Sequence, residues 1–150
     1  MTPAERIAAA QAKRAALQAQ TEEAYQEQLA SDLEALADIE AEHGFDRVAR
    51  VNLGGWVPDV GLPTLVAVRV PRSSEVVYKK FEQQINGHKE GSPQRLTAQH
   101  DLGLACLVYP PKTDEAARKA VLEYAPGILS ACALEVVKRA QGNAADEGKG

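Results

Sequence analysis

From Tyr25 the large apolar residues of the N-terminal region recur as Tyr25, Leu29, Leu33, Leu36 and Ile39, a spacing that makes a single stripe on an α-helix. That half of the helix should pack against something. Upstream, only Ile7 and Leu17 interrupt a surface of Ala, Gln, Arg and Lys, too little for a leucine-type coiled coil. The whole segment from Pro3 to His43 nevertheless reads as one helix. Thr2-Pro3-Ala4-Glu5 supplies a capping hydroxyl, a reciprocal Glu and a Pro where a missing N–H costs nothing. Gly44 supplies the stop, and the thirteen Ala in between, with no Gly or Pro, give high intrinsic propensity. A rod of that length is roughly 60 Å long, more than the diameter of a domain of about a hundred residues. Part of it should project, as a surface for a partner.

Beyond Gly44 the periodicity changes to two. Arg47 to Leu53 alternates, with Ala49, Val51 and Leu53 on one face, and Thr64 to Val70 is the clearest strand in the chain. Together they predict one antiparallel hairpin, joined by the breaker-rich loop Gly54 to Pro63 and ended by Pro71. Four helices should follow. Ser74 can cap the first, to about Asn86, with Val77, Phe81 and Ile85 on one face. Ser92-Pro93 opens the second, to about Val108, with Leu96, Leu104 and Leu107 inward and Gly103 as a weak point. Thr113 or Asp114 caps the third, to about Tyr124. Pro126 begins the fourth, whose stripe is Ile128, Leu129, Cys132, Val136 and Ala140 and whose natural stop is Gly142. The predicted class is α+β and mostly helical, with a projecting helix over 1–44, a compact body over 45–142 and a disordered tail over 143–150.

Composition adds limits. With 150 residues, 45% hydrophobic, the chain is long enough for one folded domain and an extension. Nothing in it reads as a membrane span or a signal peptide, so a cytoplasmic location is expected, with no membrane partner. Cys106 and Cys132 both fall in apolar helical segments and are expected to be reduced and buried. Charge is more informative. Residues 1–20 carry Arg6, Lys13 and Arg14 against Glu5, for +2, whereas residues 21–44 carry eight carboxylates and no Lys or Arg, for -8. This order opposes the helix dipole, so helix stability does not account for it. A docking charge for a basic surface is the functional reading, and a solvated face the plainer one. Nucleic acid is a poor fit, because phosphate affinity comes from Lys and Arg.

Reaction chemistry is hard to find. His43, His88 and His100 are scattered, no close Cys pair exists, and no metal site is expected. Cys106 with His100 and Asp101 is the only local thiol arrangement, but a spacing of six on a helix puts His100 and Cys106 on different faces. Gly54-Gly55 and Gly87 to Gly91 lack the features of phosphate loops, and no cofactor is expected. Trp56 stands apart as the sole Trp. With Val57 beside it in the inter-strand loop, it is either a binding hot spot or a lid folded onto the core.

The strand Leu65-Val66-Ala67-Val68-Arg69-Val70-Pro71, the helix with Tyr78, Lys79, Lys80 and Phe81, the segment Leu104-Ala105-Cys106-Leu107-Val108-Tyr109-Pro110 and the segment Tyr124-Ala125-Pro126-Gly127-Ile128-Leu129 form a pattern. It resembles that of phage tail-assembly chaperones and related small tail-accessory proteins, over residues 45–142. The resemblance implies a non-enzymatic protein that binds a tape-measure protein during assembly and is absent from the finished particle. The long Ala-rich helix is outside it. The expected function is a protein-binding assembly factor that also self-associates, with Tyr25, Leu29, Leu33, Leu36, Trp56 and Val57 as contact residues. A virion structural or connector component is the alternative, and a cysteine-dependent enzyme a distant third.

Overall fold

A computed structural model describes residues 1–53 and 62–148. The long helix is present as expected, α1 over Pro3–His43, with the Thr2 hydroxyl accepting from the Glu5 N–H at 3.2 Å. Gly44, at φ 102°, ends it and lets the chain turn through a short 3-10 segment, Phe45–Arg47, into β1, Val48–Asn52. β1 pairs antiparallel with β2, Leu65–Arg69, in the register Val48↔Arg69 to Asn52↔Leu65. The hairpin expected from alternation is therefore real.

A third strand was not expected. The segment predicted as one helix to Val108 divides into α3, Pro93–Cys106, and β3, Leu107–Tyr109, which pairs antiparallel with the other edge of β2. Leu107, Val108 and Tyr109 carry branched or aromatic side chains suited to a pleated surface, and the cis Tyr109-Pro110 bond follows directly. The sheet order is β1-β2-β3. β2 is central, and its first four residues are buried because both of its faces are covered.

The two faces are covered differently. On one, Ala49, Val66, Val68 and Val70 join the main core with Tyr78 and Phe81 of α2 (Val76–Ile85), Leu102 and Cys106 of α3, and Leu129, Cys132 and Val136 of α5 (Ile128–Gly148). On the other, Val48 and Ala67 lie under Leu36 of α1, with Ile39, Val108 and Tyr109 beside them. α4, Glu115–Tyr124, is capped by Asp114 and buries Val121. Arg118 on α4 donates to the carbonyls of Leu107 and Pro110 at 2.9 and 2.8 Å, which ties this helix to the end of β3.

Several details differ from the sequence reading. The N-cap position of α2 is Glu75 and not Ser74, and no side chain caps it, since the Glu75 carboxylate instead accepts from Arg69 at 2.9 and 3.2 Å and from the Arg72 N–H at 2.5 Å. Leu96 and Leu104 face outward, and α3 instead buries Ala98, Leu102, Gly103 and Cys106. Gly103 is not a weak point in that helix. A Cβ there would stand 2.1 Å from the Leu129 carbonyl oxygen, so its missing side chain is what lets α3 and α5 cross closely. Finally, α5 passes through Gly142, and 143–148, predicted to be a disordered tail, continue the helix. One glycine costs about 1 kcal/mol in a helix, less than its Ala-rich surroundings and packed upstream stripe can carry. That stripe is as predicted: Ile128, Leu129, Cys132, Val136 and Ala140 are all buried.

Candidate functional site

α1 has two regimes along its length. From Pro3 to Gln20 every residue is exposed, and burial begins at Thr21 and deepens toward Asp32 and Leu36. The apolar stripe predicted its packed face only in part. Leu36 is buried, Tyr25, Leu29 and Ile39 are half-buried, and Leu33 is 39% exposed, rotated away from the sheet. Asp32, one residue earlier, occupies the place assigned to Leu33.

A fully buried Asp is the feature that sequence reasoning missed. Its Oδ2 accepts from the backbone N–H and the hydroxyl of Thr64, both at 2.6 Å, while its Oδ1 accepts from Gln28 Nε2 at 3.0 Å and from the Tyr109 hydroxyl. Four donors converge on one carboxylate, which is what a buried acid requires to avoid a desolvation penalty of several kcal/mol. Thr64 brings the start of β2, Tyr109 brings the end of β3, and Gln28 comes from the preceding turn of α1. Burial, and then the Asp32 carboxylate that accepts its proton, push the Tyr109 phenol well above its usual range. The phenol thus stays protonated, and a donor, at neutral pH. The available signal was the spacing: Leu29, Asp32 and Leu36 fit a three-four helical step as well as Leu29, Leu33 and Leu36.

Two open grooves flank the docked half of α1. One, of about 640 Å³, lies between Leu36 and Glu40, the exposed Phe45, β1 and Arg139. The other, of about 530 Å³, sets Asp38 and Glu42 of α1 opposite Lys112 and Arg118. Neither gathers a nucleophile, a base and an oxyanion donor of the kind that acyl or phosphoryl transfer uses.

The thiol candidate is sealed. Cys106 is 1% exposed, and burial raises its thiol to about 11, whereas a reactive thiolate needs access and a lowered pKa. His100 lies on the exposed side of the same helix. Cys132 is likewise buried and raised to about 12. Among the described residues no group of three or more His, Cys, Asp or Glu is placed to hold a metal ion, and no single helix is long and apolar enough to cross a membrane. Trp56 and Val57, the other predicted contact residues, lie outside the described residues. Leu62, at the far end of the same loop, is 8% exposed and belongs to the main core, so it is not available to a partner.

No protein-family model, curated protein or solved structure matches this chain.

Proposed function

We propose that the protein is a non-enzymatic, protein-binding assembly factor that presents the first half of α1 to other protein subunits. The observation that carries this reading is the contrast within one helix. Residues 21–43 are fastened to the sheet by Asp32 and Leu36, while residues 3–20 form five further helical turns that are exposed at every position. Isolated helices of that length are marginal in water, and most helical stability in proteins comes from packing. A partner would supply it. Rigid anchoring at one end holds the free half at a fixed angle and lowers the ordering cost of binding.

The particular form proposed is a tail-assembly chaperone that binds a tape-measure protein, supported by the resemblance over residues 45–142. Fractionation of assembled particles tests it. A chaperone is found with unassembled subunits and is missing from purified particles. Fixed stoichiometry in the particle would instead make this a structural or connector component.

A further inference from the structure

We propose that an exposed face of α1 pairs antiparallel with the same helix of a second copy of this chain, about a two-fold axis near Gln20 and Thr21. The inference rests on the assembly-factor reading and names one of its partners. Ala9, Ala12, Ala16 and Ala19 follow steps of three and four, and the same frame runs on through Glu23 and Gln26 to Ala30, Leu33 and Ala37. Every one of these positions is exposed. Seven of the nine are Ala or Leu, and a heptad frame sustained over four repeats is the signature of a helix-pairing seam. Small side chains allow the two axes to approach to about 8 Å. This frame also explains why Leu33 points outward: it belongs to the second seam, not to the sheet contact.

The charges beside the seam identify the occupant. On one edge the frame places Arg6, Lys13, Gln20, Glu27 and Glu34, a series that changes sign about its own midpoint. All five are exposed. Reversing a second copy about the Gln20-Thr21 step sets Arg6 against Glu34 and Lys13 against Glu27 along the edge, each twice by symmetry, and, offset by one residue in centre, brings Ala12 to Ala30 and Ala9 to Leu33 in the seam. Parallel pairing does the opposite, bringing Glu22 of one copy toward Glu27 of the other and stacking the two acidic halves. Antiparallel pairing also opposes the two helix dipoles and accounts for basic residues at an N-terminal end, where the dipole of a lone helix disfavours them.

Sedimentation of full-length chains tests the proposal. The Arg6→Glu/Lys13→Glu variant and the Glu27→Lys/Glu34→Lys variant should each self-associate about tenfold or more weakly than the wild type, because all four edge pairs become repulsive together. Mixed one to one, the two variants should restore a dimer, now heteromeric. Ala12→Cys mixed with Ala30→Cys should form a disulfide between chains, while Ala12→Cys alone should not, and the buried Cys106 and Cys132 leave the readout clear. Helicity and melting temperature of each variant serve as folding controls. A wild type that stays monomeric at its solubility limit overturns the proposal, and so does self-association unaffected by either charge reversal. In both cases loss or retention of the chain from assembled particles still judges the assembly-factor reading separately.

Discussion

Asp32 accepts both the backbone N–H and the hydroxyl of Thr64 through a single carboxylate oxygen, with both distances 2.6 Å. Thr64 in turn accepts the Leu53 N–H at 2.9 Å through its carbonyl, so the acid on α1 is wired into the loop end of the β1-β2 hairpin. Hydrogen bonds to a charged group are worth about 1.5–3 kcal/mol, and an abandoned buried donor costs about 1–3 kcal/mol. Asp32→Ala is expected to lower stability by about 2–4 kcal/mol in chemical denaturation. Asp32→Asn should also destabilise, because all four contacts offered to the side chain are donors and an amide presents an NH2 to some of them. Unchanged stability in both variants would show that α1 is held by Leu36 and Ile39 alone.

A second expectation concerns Gly103. On an exposed helix Gly→Ala gains about 1 kcal/mol. Here the new methyl would meet the Leu129 carbonyl oxygen at 2.1 Å, a backbone atom that cannot swing aside. Gly103→Ala should therefore destabilise by about 1–3 kcal/mol or more as α3 and α5 are forced apart. A gain in melting temperature would mean that the two helices do not cross there.

Alkali should weaken the fold. Burial raises Cys106 to about 11 and Cys132 to about 12, and the Tyr109 phenol is raised as well. Each group holds its proton more tightly folded than unfolded, so its contribution is complete below its unfolded value, about 8.5 for the thiols and about 10 for the phenol, and is lost as pH rises toward the folded values. Thermal melts between pH 8 and 10.5 should show a falling midpoint. In a Cys106→Ala/Cys132→Ala chain the slope should be smaller. Thiol labelling of the native protein at neutral pH should be slow, limited by opening of the core.

Much of the architecture could be read from hydrophobic patterning, because most of these elements bury one face and β2 is a β-branched apolar run bounded by prolines. The stripe from Tyr25 in α1, the alternation of β1 and the buried stripe of α5 each announce their element, and the caps of α1 fix its ends. β3 could not be read in the same way: three residues are too short to show alternation, and they continue an apolar helical run. Leu96 and Leu104 misled for a related reason, since α3 crosses α5 over Gly103, and a contact made by an absent side chain leaves no apolar signal. The site itself was half visible. Leu36 and the projecting rod follow from hydrophobicity, whereas Asp32 is a buried charge whose compatibility depends on Thr64 and Tyr109, 32 and 77 residues further on.

The central claim is that residues 1–20 serve association and not the folding of the body. Chains lacking those residues should be compared with the full chain in parallel thermal melts and sedimentation equilibrium. The account predicts a body whose stability changes by less than about 1 kcal/mol, as expected for removal of exposed residues, together with loss of self-association or partner binding. A large fall in melting temperature with assembly unchanged would contradict it.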